Sequence, residues 1–165
     1  MAQKQDVLFK EEQRFSQWLV WIIVILCLSI PTYGIIQQII LKKPFGDNPM
    51  PDYALIILFA GMLLLCLLLS LMKLRTFITK EHIHIKFVPL ANKKIFWEEI
   101  EEVKIVKYSP MIGYGLRIWT PYGTVYNVKG TKGLALKLKN GKKLMIGTQR
   151  FREIEEVAQR MIKKV

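Results

Sequence analysis

One uncharged run limits what this chain can fold into more than any other feature. Tyr53–Met72 reads YALIILFAGMLLLCLLLSLM, twenty residues without a charged side chain. A helix rises about 1.5 Å per residue, so this run is about 30 Å long as a helix, the thickness of a bilayer's hydrocarbon core. Lys73 and Arg75 follow at once. The pattern predicts a transmembrane helix that keeps the rest of the chain close to a membrane surface.

A second apolar run precedes the first. Trp18–Leu41 contains no charged residue and predicts another span, with a kink expected at Pro31 because proline removes a helical hydrogen bond. Residues 42–52 hold three prolines and a glycine and predict a short loop. So short a loop makes the spans 18–41 and 53–72 antiparallel neighbours, a transmembrane helical hairpin over 18–72.

Two glutamines and two cysteines lie within the hairpin. Gln37 and Gln38 lie near the end of the first span, and we expect them to bond to water or headgroups rather than across helices. Cys27 and Cys66 both lie inside the spans. We expect them to be small apolar filler and not a disulfide framework.

Residues 1–17 are polar and balanced in charge. They are too polar to be the start of a cleaved signal peptide, and no small-residue cleavage pattern comes after the apolar run. Aromatic residues among charged ones over Val7–Trp21 predict a short interfacial helix, with Trp18 and Trp21 at headgroup level. We therefore expect 1–17 to be a cytoplasmic, interfacial segment, separate from the domain on the other side of the hairpin.

Charge is strongly segregated along the 165 residues. Of 25 lysines and arginines, 20 lie beyond position 72, as do 8 of 13 acidic residues, so the whole net charge of +12 lies there. The loop between the spans has two lysines. Because lysine and arginine concentrate on the cytoplasmic side of membrane proteins, both termini are expected in the cytoplasm.

Residues 73–165 predict a small domain of the α+β class. His82–Phe87 alternates apolar and polar residues, as a half-buried strand does, and Asn140-Gly141 is a two-residue hairpin turn. After Thr148, a predicted N-cap, apolar residues recur at helical spacing. Short strands joined by hairpins predict a small antiparallel β-barrel or sandwich, closed by the C-terminal helix. The further strands are expected over Lys93–Trp97, Val103–Tyr108, Leu116–Thr120, Thr124–Lys129, Leu134–Lys139 and Lys142–Gly147.

Two stretches carry a family resemblance. Ile95–Val106 reads IFWEEIEEVKIV, and Gly133–Ile162 reads GLALKLKNGKKLMIGTQRFREIEEVAQRMI. Together with two preceding spans, they resemble the bacterial membrane-anchored proteins with a pleckstrin-homology-like domain. The resemblance implies a cytoplasmic domain on a bacterial inner or plasma membrane and a binding or scaffold role. It implies no lipid headgroup site, because the basic loop between the first two strands of eukaryotic relatives is not present.

No constellation of residues predicts catalysis. His82 and His84 share a strand face, but with no third ligand nearby we expect two solvent-facing histidines and no metal site. Glu98, Glu99 and neighbouring acids are expected to cap a short turn and to balance lysines. We therefore expect neither an enzyme nor a cofactor.

Besides solvating the strand faces and fixing the membrane topology, the basic residues allow contact with anionic lipid. Binding of nucleic acid is not expected, because no recognition helix or zinc ligands are evident. Tyr114 and Trp119 are candidate contacts for a protein partner, Tyr114 lying in the pliable loop Gly113–Gly115. The candidate lipid-facing residues are Lys73, Arg75, Lys137, Lys139, Lys142 and Lys143.

The sequence thus favours a non-enzymatic, membrane-anchored interaction or scaffold module that binds a protein segment or assembles with itself. A first alternative is peripheral binding of anionic lipid by a basic face. A second is an accessory subunit of a membrane transport or enzyme complex, in which the spans form the interface.

Overall fold

The computed structural model describes residues 6–108 and 114–163. The chain is α+β and divides into two compact units. One unit is helical and covers Ser16–Leu71, and the other combines the residues up to Phe15 with those from Met72 onward. The helical unit is therefore inserted into the sequence of the other.

The helical unit contains the two predicted apolar helices. Helix α1 spans Trp18–Ile35 and continues as π-helix over Ile36–Ile40, and helix α2 spans Asp52–Leu71. Both are long and apolar enough to cross a membrane, at 23 residues for Trp18–Ile40 and 20 residues for Asp52–Leu71. Of the residues in α2, only Leu55 is buried.

Gln38 corrects one expectation for this unit. Its Nε2 donates to the Met50 carbonyl at 2.7 Å and to Asp52 Oδ1 at 2.6 Å. The side chain therefore bonds from the end of the first helical segment to the beginning of α2. The expectation that it bonds only to water or headgroups was wrong. Both cysteines are free, as expected.

The N-terminal segment is a strand and not the predicted interfacial helix. Strand β1, Val7–Arg14, pairs antiparallel with strand β2, Lys73–Thr79, on the other side of the helical unit in sequence. The Phe15 N–H donates to the Met72 carbonyl at 3.3 Å, which extends this pairing to the residues that lead into α1 and out of α2. The segment thus belongs to the same compact unit as the C-terminal domain.

Nine strands of the described residues form two open sheets. Sheet A has the order β1-β2-β3-β4, all antiparallel, and sheet B has the order β5-β8-β9-β7-β6, in which β7 and β9 are parallel. In sheet A, β3 is His82–Val88 and β4 is Ala91–Phe96. Sheet B consists of β5 (Ile100–Lys107), β6 (Gly115–Thr120), β7 (Gly123–Asn127), β8 (Lys132–Leu138) and β9 (Lys143–Gly147).

The strands form two open sheets, so the barrel, one of the two predicted architectures, was wrong, and so was the prediction of purely antiparallel pairing. A short 3₁₀ turn, Trp97–Glu99, leads the chain from β4 to β5 and so from one sheet to the other. Glu99 caps this turn by accepting the Phe96 N–H at 3.0 Å, which confirms the role expected of the acidic stretch. Trp97 is buried and donates its indole N–H to the Thr79 carbonyl at 3.1 Å.

The core lies between the inner faces of the sheets and helix α3, Phe151–Ile162. Ile154, Ala158 and Met161 form the buried stripe of α3. Thr148 is not the N-cap, because the helix begins later, after Arg150. Its hydroxyl instead donates to Glu11 Oε2 at 2.6 Å, which bonds β1 to the turn before α3.

Candidate functional site

The outer face of sheet A concentrates positive charge. On β1 the residues Phe9, Glu11 and Gln13 point inward, so their alternates point outward. The register places Arg14 opposite Lys73, and Arg75 opposite Lys86. Directly opposed residues share a face of the sheet, so the outward residues form continuous rows across the four strands. We call the following residues the basic face: Lys10, Arg14, Lys73, Arg75, Lys86 and Lys94.

Little negative charge offsets the basic face. Glu12 is the one carboxylate in these rows, and it accepts from Arg75 Nε at 2.8 Å and from Arg14 Nε at 3.4 Å. The hydrogen bond from Arg75 holds the pKa of Glu12 below its usual value. Like charges directly opposite one another destabilise a sheet. The two like-charge pairs here, Arg14–Lys73 and Arg75–Lys86, have Glu12 as their single neighbouring carboxylate. Six cations against one carboxylate leave five positive charges in excess.

Aromatic rings lie between the cations. Lys10 Nζ is 5.6 Å from the ring centroid of Phe77, which lies opposite His84. His84 Nε2 is 2.7 Å from Asn92 Oδ1. An ammonium group within about 6 Å of a ring centroid is attracted by the π-electrons of the ring. Lys10 therefore makes a cation–π contact with Phe77 on the outer face of the sheet.

His82 is not solvent-facing, contrary to the sequence-based expectation. It does share the outer face with His84, at 6.1 Å between ring centroids, but only 3% of it is exposed. Burial lowers the pKa of His82, and the charges of Lys94 and His84 lower it further. Among the residues described, no three metal-binding side chains lie together.

A second surface lies on sheet B, at β6 and the hairpin turn after it. Ile118 and Trp119 are consecutive, and both are exposed, at 57% and 94%. They border a groove of about 460 Å³, which we call the β6 groove. It is lined by Lys93, Ile118, Trp119, Thr120, Gly123, Thr124, Lys142, Lys143 and Leu144.

A β-bulge exposes this pair. Arg117 pairs with Val125 and Thr120 with Gly123, so two residues of β6 oppose one of β7. Trp119 has a φ of 60°, the left-handed conformation, which costs a residue with a side chain about 1–2 kcal/mol. Backbone strain of this kind concentrates at ligand-binding sites, so the bulge marks Trp119 as a candidate contact.

The candidate residues from the sequence divide between these surfaces. Lys73 and Arg75 lie in the basic face, whereas Lys142, Lys143 and Trp119 meet in the β6 groove. Lys142 and Lys143 were predicted to contact lipid, and Trp119 was predicted to contact a protein partner. Their positions in the sequence gave no indication that they would lie in the same groove. The grouping of Lys142 and Lys143 with Trp119 depends on the register of three strands.

The other candidates are less available. Lys137 forms an ion pair with Glu101 at 2.7 Å, as expected of the acidic stretch, and Lys139 is exposed in the turn after β8. Tyr114 is half-buried, which argues against the fully exposed ring that its loop predicts. Gly113, in the same loop, lies outside the described residues.

The sequence reasoning missed four members of the basic face. Lys10, Arg14, Lys86 and Lys94 occupy outward positions of strands β1, β3 and β4. Alternation in β3 was visible and could have placed Lys86 on the outer face. Lys10 and Arg14 could not be found, because β1 was taken for a helix.

The whole chain has a match among known families. Residues 2–164 match DUF6141, described as a family of unknown function. The chain belongs to this family. No curated protein matches the chain.

Proposed function

We propose that this member of the family is a non-enzymatic membrane-anchored module whose basic face rests on anionic lipid headgroups. One observation carries the proposal: Arg14 faces Lys73 and Arg75 faces Lys86 across neighbouring strands, with only Glu12 to offset them. Such pairs cost stability in the isolated sheet, and an anionic surface would offset that cost.

The helical unit supplies the anchor. Most apolar side chains of α2 are exposed and only Leu55 is buried, a surface suited to lipid and unsuited to water. Because β1 and β2 are paired, the residues that lead into α1 and out of α2 lie side by side. Two spans return the chain to the side from which it left, and Arg14 and Lys73 flank them. By the distribution of lysine and arginine, we place that side in the cytoplasm.

Covalent connectivity keeps part of the basic face near the headgroups. Only Met72 separates α2 from β2, and strands rise about 3.4 Å per residue. Lys73 comes immediately after it, and Arg75 lies at most about 10 Å from Met72, slightly more than the Debye length of about 8 Å at physiological salt. Basic residues within a Debye length contribute up to about 1 kcal/mol each to binding an anionic surface.

Lysine reactivity in bilayers tests the proposal. The full chain is reconstituted in phosphatidylcholine alone or with phosphatidylglycerol, and the acetylation rate of each lysine is measured by mass spectrometry. We expect anionic lipid to slow Lys73 and Lys86 about fivefold, the factor equivalent to 1 kcal/mol, and high salt to remove the effect. Lys129 and Lys163 are exposed reference lysines outside the face. Equal changes at face and reference lysines would contradict the proposal.

The variant Lys86→Glu separates lipid contact from a structural role. It replaces a like-charge pair with an attractive one opposite Arg75, so the fold should gain about 0.2–1 kcal/mol in free energy of unfolding. Protection of Lys73 by anionic lipid should nevertheless decrease. Lys129→Glu is the matched control and should change neither quantity. If Lys86→Glu stabilises the fold and leaves the protection intact, the face has no role at the membrane.

The resemblance to membrane-anchored pleckstrin-homology-like proteins remains part of this proposal. Two sheets and a C-terminal helix support it, whereas the parallel pair β7–β9 departs from it. The proposed role does not depend on that resemblance, because it rests on the charges of the basic face.

A further inference from the structure

We propose that the β6 groove binds an acidic, extended segment of a partner protein. β6 is the last strand of sheet B and is paired with β7. The groove lies on the paired side of β6, because residues of β7 and β9 line it together with residues of β6. A segment in this groove would therefore contact side chains from three neighbouring strands.

An apolar anchor borders this groove. Ile118 and Trp119 are 57% and 94% exposed, and both line the groove at the bulge in β6. Tryptophan is enriched among the residues that dominate protein interfaces, where its ring becomes buried. A segment that lies in the groove would cover these two side chains.

The charges around the anchor select an acidic partner. Lys93, Lys142 and Lys143 line the groove, and none forms an ion pair with a residue that the structure describes. The lining residues include no carboxylate.

The anchor of the groove belongs to sheet B, whereas the basic face belongs to sheet A. Gly115, at the start of β6, lies beside Met72, because a Cβ there would be 3.9 Å from Met72 Cε. Trp119 is four residues further along, about 13 Å at the usual strand rise. The anchor is thus at the end of β6 away from the residue that continues into α2. The inference is independent of lipid contact by the basic face.

Fluorine NMR of the full chain tests the inference. The chain is labelled with fluorotryptophan and placed in phosphatidylcholine nanodiscs, so no anionic lipid is present and failure of the lipid proposal cannot affect the result. The probe is a synthetic peptide of alternating glutamate and valine, with a lysine–valine peptide as its counterpart. Trp119→Phe identifies the resonance of Trp119. We expect the glutamate peptide, and not the lysine peptide, to shift that resonance saturably.

Variants then locate the contact. Trp119→Ala should weaken binding of the glutamate peptide about thirtyfold or more, as loss of a central aromatic does. Lys142→Glu with Lys143→Glu should weaken it about tenfold or more. Lys129→Glu with Lys163→Glu, outside the groove, should leave the affinity unchanged.

Three results would overturn the inference. One is an unmoved Trp119 resonance with saturating glutamate peptide. A second is a shift caused by phosphatidylglycerol alone, which would make Trp119 a lipid contact. The third is a shift that depends on chain concentration without peptide, which would make the groove a self-association site.

Discussion

Replacing Glu11 tests whether β1 is an integral part of the C-terminal domain. Glu11 is only 7% exposed, and its two carboxylate oxygens have different partners. Oε2 accepts the Thr148 hydroxyl at 2.6 Å, and Oε1 accepts the Gln149 N–H at 2.8 Å. Nearby, Gln13 Nε2 donates to the Gly147 carbonyl at 2.8 Å. The strand before α1 is thus bonded to the turn before α3.

The magnitude of the effect is set by these two bonds. A hydrogen bond to a charged group contributes about 1.5–3 kcal/mol, so Glu11→Ala removes about 3–6 kcal/mol of interaction. Because Gln149 is exposed, water can replace part of what it loses, and the net cost should be about 3 kcal/mol. That is a change of about a hundredfold in the local opening equilibrium. Glu11→Gln keeps one acceptor oxygen and should lose about half as much.

Hydrogen exchange on the full chain in phosphatidylcholine nanodiscs measures this opening. In Glu11→Ala, exchange at the Gln149 amide should accelerate about a hundredfold, and the Ile154 amide in the first turn of α3 should accelerate as well. Glu12→Ala is the matched control, because this adjacent carboxylate bonds only to arginines of the basic face. Unchanged exchange in Glu11→Ala, or equal acceleration in Glu12→Ala, would refute the reasoning.

Three further predictions concern other parts of the chain. Burial lowers the pKa of His82 in the folded chain below 6.5, its ordinary value, so between these two pKa values the unfolded chain binds more protons than the folded one. The free energy of unfolding should therefore fall as pH decreases below about 6.5. His82→Gln should flatten this slope in pH-dependent hydrogen exchange. Gly123→Ala should destabilise the β6–β7 hairpin by about 2 kcal/mol or more, since φ is 74° and a Cβ would lie 2.0 Å from a carbonyl oxygen of β9. Gly141→Ala, with φ 79° and open space, should cost about 1 kcal/mol in the same thermal unfolding assay. In bilayers, a membrane-impermeant maleimide should label neither Cys27 nor Cys66 until detergent denatures the chain, and labelling before denaturation would contradict the spans.

Local alternation made most of sheet B and the end of the chain predictable. In β8, Leu134, Leu136 and Leu138 alternate with small or basic residues, and the helical stripe of α3 is equally regular. β1 gave no such signal. Its inward positions carry Phe9, Glu11 and Gln13, so the buried face is largely polar and the alternation does not appear in hydropathy. Only the partners Thr148 and Gly147, far along the chain, make that face suitable for burial.

The candidate surfaces were predictable to different degrees. Lys73 and Arg75 were identified because they come directly after a span. Their neighbours Arg14 and Lys86 were not, since the register of sheet A alone puts them opposite. The exposure of Trp119 depends on the bulge in β6, and strict alternation would have turned either it or Ile118 inward.

The sequence by itself determined the features that depend on neighbouring residues. These are two uncharged runs of membrane length, the segregation of charge beyond position 72, and the periodicities of most strands and of α3. The tertiary structure decided what depends on residues distant in sequence: the pairing of β1 with β2 across the inserted helices, two open sheets in place of a barrel, and the two surfaces. The physical reason is that hydropathy and helical or strand period are local properties. Strand register and the burial of Glu11 are determined by contacts between segments as many as 138 residues apart.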